Sequence, residues 1–370
     1  MEKYHFQYEE KILSPALIYY KDEIVKNIKM SIAEAGGPDR LWPHVKSHKM
    51  SEIIKLQVKM GIKRFKCATL AEAAIAAQSG GEHILLAYPL VGPNVDCFLE
   101  LMKRWPNRTF YAIGDDERQV KELAEKAVEQ KLTVNLCVDV NTGMNRTGIR
   151  IDRLQGFCKE LAYVRGIKLT GLHCYDGNRH EKNLTERGEK VKETVKGIRL
   201  AMRDRLKDAD LFLIMGGSPS FPCYAKEMKG TNVFYSPGTI FIYDRGYQEQ
   251  FPDLPYEPGA TILSRVVSHP ADGYFTIDCG YKAISAEQIQ PGELIDVPYA
   301  KPAFQSEEHW TFRMEGGYEE KRPEIGKIIY VMPWHICPTT ALYDEAVVVS
   351  KGKIEGTWQV SARGRFLRVT

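Results

Sequence analysis

Leu41-Trp42-Pro43-His44-Val45-Lys46-Ser47-His48-Lys49 sets a lysine directly after a short apolar run, where a strand should end. A lysine held between aromatic and imidazole neighbours releases its proton more readily than a solvated one, and a neutral amine forms an imine with an aldehyde. In isolation the same stretch also reads as a surface loop carrying two lysines. The surrounding chain therefore has to decide.

Outward from this stretch, from about residue 16 to 246, short β-rich runs alternate with helical ones. Strands are expected at 41–45, 65–68, 84–87, 109–113, 133–138, 168–174, 211–215 and 233–236. Helices are expected between them, among others at 51–60, 70–78, 116–129, 152–161 and 184–205, where apolar residues recur every three or four positions. Eight such units predict an α/β fold, a (β/α)8 TIM barrel, with a doubly wound open sheet as the alternative. After Gly246 the texture changes. Residues 248–259, rich in proline and acidic side chains, read as a linker. Beyond it come alternating runs at 262–268, 274–278, 294–297, 310–314, 327–332 and 346–349, and Lys351-Gly352 reads as a hairpin turn. The expected organisation is a barrel over 16–246 and a C-terminal all-β domain over 257–370, joined by residues 1–15.

Composition narrows the function. A formal net charge of +3 on 370 residues, with no basic stripe, gives no reason to expect nucleic acid. No apolar run approaches the ~20 residues a membrane helix needs, and the amino terminus lacks an apolar signal core. Eight cysteines without paired spacing suit free thiols in a reducing compartment, so a cytoplasmic location is expected.

In a barrel the chemistry collects in loops after the carboxyl ends of the strands. Lys46 follows the first strand and Arg146, within 139–148, follows the fifth. Tyr175-Asp176-Gly177 follows the sixth, Gly216-Gly217-Ser218-Pro219 the seventh and Ser236-Pro237-Gly238-Thr239 the eighth. Glycines paired with hydroxyls let backbone N–H groups approach a phosphate, and the last two loops are the usual phosphate site of this fold. One such loop is often a plain turn. Two of them opposite an imine-forming lysine point to pyridoxal 5′-phosphate, with its aldehyde on Lys46 and its phosphate on the glycine loops. Arg146 then suits the cofactor's phenolic oxygen, or is a surface arginine paired with Asp139 or Asp152. Tyr175 lies flat against the pyridine ring, or packs at the rim. His180 is a candidate general base, or a solvated loop histidine.

A second constellation is Met332-Pro333-Trp334-His335-Ile336-Cys337-Pro338-Thr339. On a strand, His335 and Cys337 would face one way. Imidazole with thiolate favours zinc, and two protein ligands leave positions for water and substrate. A buried structural cysteine is the competing reading.

Taken together, these residues resemble the D-threonine aldolase and D-serine dehydratase group, the metal-containing branch of the alanine-racemase-like pyridoxal phosphate enzymes. The resemblance runs over nearly the whole chain, through Ser14-Pro15-Ala16-Leu17, 43–49, Phe65-Lys66-Cys67-Ala68-Thr69, Leu86-Ala87-Tyr88-Pro89, 143–148, 216–219, 236–239 and 335–339. It implies that Lys46 is the Schiff-base lysine, that Arg146 binds the phenolic oxygen and that Tyr175 stacks on the ring. Gly217, Ser218, Gly238 and Thr239 would hold the phosphate. His335 and Cys337 would ligate a divalent metal, zinc first, with manganese or magnesium as alternatives. It further implies a homodimer acting on a small D-amino acid. The activity implied is retro-aldol cleavage of D-threonine to glycine and acetaldehyde. The alternative is elimination from D-serine or D-threo-3-hydroxyaspartate to a 2-oxo acid and ammonia. Two departures matter. Alanine racemases carry an arginine where this chain has Ser236, which argues against a racemase. His-x-Cys is dehydratase-like, whereas 86–94 and 175–177 are aldolase-like.

Overall fold

The seven strands Arg64–Cys67, His83–Leu86, Thr109–Gly114, Val134–Asn141, Ile167–Cys174, Phe212–Met215 and Val233–Tyr235 form one parallel sheet in chain order in the computed structural model. The structure describes residues 3–203, 211–228, 230 and 232–365. The eighth position of the ring is the 41–45 stretch. It is no regular strand: it makes two isolated parallel bridges, Leu41 to Tyr235 and His44 to Lys66. Trp42 N–H donates to Tyr235 O (2.7 Å) and Lys66 N–H to Pro43 O (2.8 Å), which joins the last strand to the first and closes the barrel. The expected strand is cut short because Pro43 has no N–H to give and Val45–Ser47 coils into a 3-10 turn.

Helices alternate with these strands: Ser51–Lys59, Leu70–Gln78, Pro93–Arg104, Glu117–Glu129, Leu154–Leu161, Leu184–Ala201 and Phe221–Glu227. Several starts were legible. Thr69 accepts from Glu72 N–H, Asp116 from Arg118 and Gln119 N–H, and Asn183 from Thr185 and Glu186 N–H, each satisfying an otherwise orphaned donor. The expected helix 184–205 is observed to Ala201, and its positions 204 and 205 lie outside the described residues. Inside the barrel, Trp42, Leu85, Tyr111, Ile113, Cys137, Ile214 and Phe234 form one buried cluster. The Trp42 ring meets Tyr111 edge-on at 5.3 Å and Phe234 at 5.5 Å. This aromatic packing fills the interior that the short strands enclose.

The second sheet is mostly antiparallel. It runs Ala300–Gln305, Trp310–Met314, Tyr274–Ile277, Ala260–Ser268, Ala16–Tyr20, Glu345–Ser350, Lys353–Gln359, with Ile328–Pro333 and Gly292–Leu294 branching from Ala260–Ser268. Its core is Ile262, Phe275, Ile277, Trp310, Phe312 and Val331. The expected barrel segment 16–246 gives its first strand, Ala16–Tyr20, to this sheet, where it pairs on both sides and is almost wholly buried. Ala300–Gln305 was not expected: it is an exposed edge strand containing Pro302, and both features hide a strand from pattern reading. Lys351 and Gly352, at φ 50° and 70°, make the expected hairpin turn. The stretch expected as a linker at 248–259 begins inside a short helix, Arg245–Gln250, capped by Asp244.

By its contacts the chain divides into two compact units. The barrel unit comprises 29–46, 50–238 and 362–370, and the sheet unit 1–28, 47–49 and 239–361. No helix among the described residues is long and apolar enough to cross a membrane. Removing the central ring of the barrel tests its packing. Trp42→Ala should lower unfolding free energy by about 3–5 kcal/mol, read as an earlier denaturant midpoint by circular dichroism.

Candidate active site

Three cations of the barrel unit converge on one ring. Lys46 Nζ lies 5.5 Å, Lys66 Nζ 5.1 Å and Arg146 Cζ 5.1 Å from the centroid of Tyr175. Lys46 is carried by the turn Val45–Ser47, and its N–H donates to His44 Nδ1 (3.3 Å). Lys66 comes from the middle of the strand Arg64–Cys67, and Tyr175 directly follows Ile167–Cys174. Thr142 Oγ1 pins Tyr175 by donating to its carbonyl (2.7 Å).

Glycine geometry lets the next loop close on this ring. Gly216 has φ +75°, and a Cβ there would fall 2.7 Å from the Tyr224 ring; a Cβ on Gly217 would fall 3.1 Å from Tyr175. Gly217 N–H is held by Asp176 Oδ1 (2.9 Å), which also accepts from Ser220 Oγ (2.7 Å). Burial pushes the Asp176 carboxyl above its usual range. Gly238 N–H donates to Ser218 Oγ (3.1 Å), so Ser218 and Gly238 meet as the loop reading requires. Gly217 thus contributes close approach rather than a free donor. Behind the ring, His173 Nδ1 bonds Asp139 Oδ1 (2.7 Å). Burial lowers the imidazole, while His173 holds Asp139 low against the effect of burial.

Lys66 is the electrostatic surprise. It is 1% exposed, and among the described residues the single hydrogen bond of its amine is a long one to Ser236 O (3.5 Å). Burial first, then the Lys46 charge, bring its amine down to about 7. A ring face, two glycine loops and three cations, one of them buried without a carboxylate partner, fit an aromatic polyanion. Pyridoxal 5′-phosphate is such a group, and Lys46, Arg146, Tyr175, Gly217, Ser218 and Gly238 are the residues that could hold it.

In the sheet unit, His335 and Cys337 also meet, though not as expected. The strand Ile328–Pro333 has ended, and His335 is the N-cap of the short helix Ile336–Thr340, with Cys337 in its first turn. Proline at 338 suits a first helical turn and not a strand. Asp244, fully buried, accepts from Ile336 N–H (3.0 Å) and Tyr247 N–H (2.9 Å), and burial pushes its carboxyl up to about 6. Burial opposes a proton on His335, but Cys337, Asp244 and Glu287 together raise it to about 9. Glu287 bonds Nδ1, so Nε2 is the ring nitrogen that could face a metal. Thr239 Oγ1 lies 3.3 Å from Cys337 Sγ. Among the described residues no group of three or more His, Cys, Asp or Glu is placed to hold a metal. His335 and Cys337 could offer a metal one imidazole nitrogen and one sulfur, a pairing suited to zinc.

Comparison with known proteins agrees with this architecture. Residues 20–228 match the alanine racemase N-terminal domain and 259–349 a putative serine dehydratase domain. The chain belongs to the alanine racemase N-terminal domain family. It is 25% identical over 360 residues to a D-threonine aldolase of Arthrobacter sp, covering 96% of this chain and 93% of the relative. It is 26% identical over 375 residues to a 3-hydroxy-D-aspartate aldolase of Paracoccus denitrificans (strain Pd 1222), covering 96% and 94%. The crystal structure of D-threonine aldolase from Filomicrobium marinum superposes with a TM-score of 0.86 at 25% identity, covering 96% of each chain. The chain is a pyridoxal-phosphate-dependent lyase.

Within this family frame, some expected residues gather and one does not. Lys46, Arg146 and Tyr175 form one cluster, Gly217 closes on Tyr175, and Ser218 bonds Gly238. His180 is exposed, and among the described residues no hydrogen bond, ion pair or ring contact ties it to the cations around Tyr175. Sequence reasoning passed over Lys66, Asp176, Asp244 and Glu287. The available signal for Lys66 was a charge inside a four-residue apolar strand.

The depressed Lys66 amine has a measurable consequence. Between about pH 7 and its ordinary 10.5, the unfolded chain holds a proton there that the folded chain lacks, so raising pH favours folding. The deficit in urea midpoint of the cofactor-free protein against Lys66→Met should be largest near pH 7 and shrink towards pH 9.5. The slope should be about 1 kcal/mol per pH unit. A constant difference would place the amine at its ordinary value.

Proposed function

We propose that the protein cleaves the Cα–Cβ bond of D-β-hydroxy-α-amino acids, of the type that turns D-threonine into glycine and acetaldehyde. The convergence of Lys46, Lys66 and Arg146 on Tyr175 carries this reading, because such a cluster suits an aldehyde-bearing aromatic phosphate. The aldolases among the relatives support the choice of bond. When bound, pyridoxal phosphate supplies an electron sink and a divalent ion supplies Lewis acidity towards oxygen.

The chain's own residues do the rest. Lys46 would offer the amine that holds the cofactor's aldehyde carbon. Arg146 orients the phenolic oxygen, and the Tyr175 ring keeps the cofactor plane fixed. Gly217, Ser218, Gly238 and Thr239 receive the phosphate. His335 Nε2 and Cys337 Sγ hold the ion, zinc by preference, with the imidazole kept in register by Glu287 on its other nitrogen. His180 is assigned the β-hydroxyl proton. The barrel over 16–246 and the β domain over 257–370 with 1–15 work as a cytoplasmic homodimer in this reading.

Elimination is the second reading, favoured by the thiol at Cys337 and by the match of 259–349 to a putative serine dehydratase domain. There Lys46 takes the α-proton and hydroxide leaves the β-carbon.

One incubation separates the two. Full-length protein with cofactor and zinc or manganese is given D-threonine and D-serine. Glycine and acetaldehyde from D-threonine support carbon–carbon cleavage; 2-oxo acid and ammonia establish elimination instead. His335→Ala, or chelation, should reduce either activity at least about a hundredfold. A visible band near ~420 nm in the loaded protein should survive His335→Ala and disappear in Lys46→Ala. Loss of no activity on chelation would remove the metal from the scheme.

A further inference from the structure

Lys66 counts among the converging cations but has no task of its own in the proposed function, and of those three cations it is the fully buried one. It is 1% exposed, its amine stands 5.1 Å from the Tyr175 ring, and among the described residues that amine has only the Ser236 carbonyl at 3.5 Å as hydrogen-bond partner. The Ser236 hydroxyl is engaged elsewhere, donating to Trp42 O (2.7 Å). The nearby carboxylates are engaged too: Asp139 bonds His173, while Asp176 accepts from Gly217 N–H and Ser220 Oγ. A buried amine with one long bond is costly to keep unless a ligand supplies an acceptor.

On the pyridoxal phosphate reading, that acceptor can be found by elimination. Lys46 takes the aldehyde carbon, Arg146 the phenolic oxygen and the glycine loops the phosphate. The ring nitrogen is the polar atom without a partner. We propose that Lys66 Nζ donates a hydrogen bond to the pyridine nitrogen of the bound cofactor and holds it unprotonated. Electrostatics fix the direction of the bond. Lys46, Lys66 and Arg146 already surround one ring, and a pyridinium proton would add a fourth positive charge within a few ångströms. Lys66 is on this account a cofactor-positioning residue. The inference rests on the cofactor reading of the preceding subsection.

The test compares two aldehydes on the full-length, cofactor-free chain: pyridoxal 5′-phosphate and its 1-deaza analogue, in which C–H replaces the ring nitrogen. Dissociation constants are read from tryptophan quenching and from the visible band, without any turnover. The wild type should prefer the natural aldehyde about tenfold or more, the range of a charged hydrogen bond. Lys66→Met should narrow that preference to less than about threefold, by weakening the natural aldehyde alone. Lys66→Arg, which restores a donor, should recover most of it, and Lys66→Gln serves the same comparison if the Met variant does not fold. A Met variant that keeps the wild-type preference, or loses both ligands equally, overturns the role of Lys66 and leaves the cofactor reading standing. So does a wild type that binds both aldehydes equally. A wild type that binds neither overturns the cofactor reading and this inference with it.

Discussion

A lysine buried without a carboxylate in bonding reach constrains the rest of the barrel. Lys66 sits among Lys46 and Arg146, so each of the three cations raises the electrostatic cost of the others. Packing has to offset this, and the aromatic cluster around Trp42 is the dense apolar mass available to do so. The cost is also what makes the site selective. A neutral ligand would leave the repulsion in place, whereas an anionic aromatic ring relieves it and stabilises the folded chain by mass action. Poor internal satisfaction at Lys66 would thus be a source of affinity for such a ligand.

The sheet unit solves a different problem, that of orienting an imidazole and a thiol from a helix too short to be stable alone. Five residues, Ile336–Thr340, make little intrinsic helix. Asp244 compensates by accepting both the first N–H of that helix and an N–H of Arg245–Gln250. One carboxyl therefore ties two short helices together, and being buried it does so in a medium where such bonds are strong. Glu287 then fixes the His335 ring through Nδ1.

How much of this was legible depended on whether local pattern or distant pairing set each feature. The barrel was legible because strand–helix alternation is local, and the turn at Lys351-Gly352 because its backbone demands residues that tolerate positive φ. The 41–45 strand was misjudged since only its partners, Tyr235 and Lys66, reveal that it bridges rather than pairs regularly. Placing Ala16–Tyr20 between Ala260–Ser268 and Glu345–Ser350 involves contacts some 240 and 330 residues away along the chain, which no window reads. Lys46, Arg146, Tyr175 and the His335–Cys337 pair stood out in the sequence as candidates because the chemistry proposed for them is carried by residue type and spacing. Asp244, Asp176 and Glu287 did not. They act by hydrogen bonds across long sequence separations, and an isolated acidic residue has no local mark.

The choice of bond broken cannot come from the barrel cluster alone. On the proposed reading Lys46, Arg146, Lys66 and Tyr175 address an amine, a phenolic oxygen and a ring, which are common to every reaction at the α-carbon. Racemisation, elimination and carbon–carbon cleavage differ in what happens to the α-proton and the β-oxygen. That difference has to be supplied by groups that act on oxygen. On the proposed reading those are His335 and Cys337, and Thr239 Oγ1 lies against the Cys337 sulfur. A barrel shared with racemases can therefore serve a lyase without rebuilding its cofactor cradle, provided that the sheet unit brings a Lewis acid. The unusual feature lies in the barrel all the same. An amine on the pyridine nitrogen that keeps it unprotonated would weaken the ring as an electron sink. It would thereby favour a reaction in which the departing β-fragment, activated at its oxygen, takes over part of the work of breaking the bond.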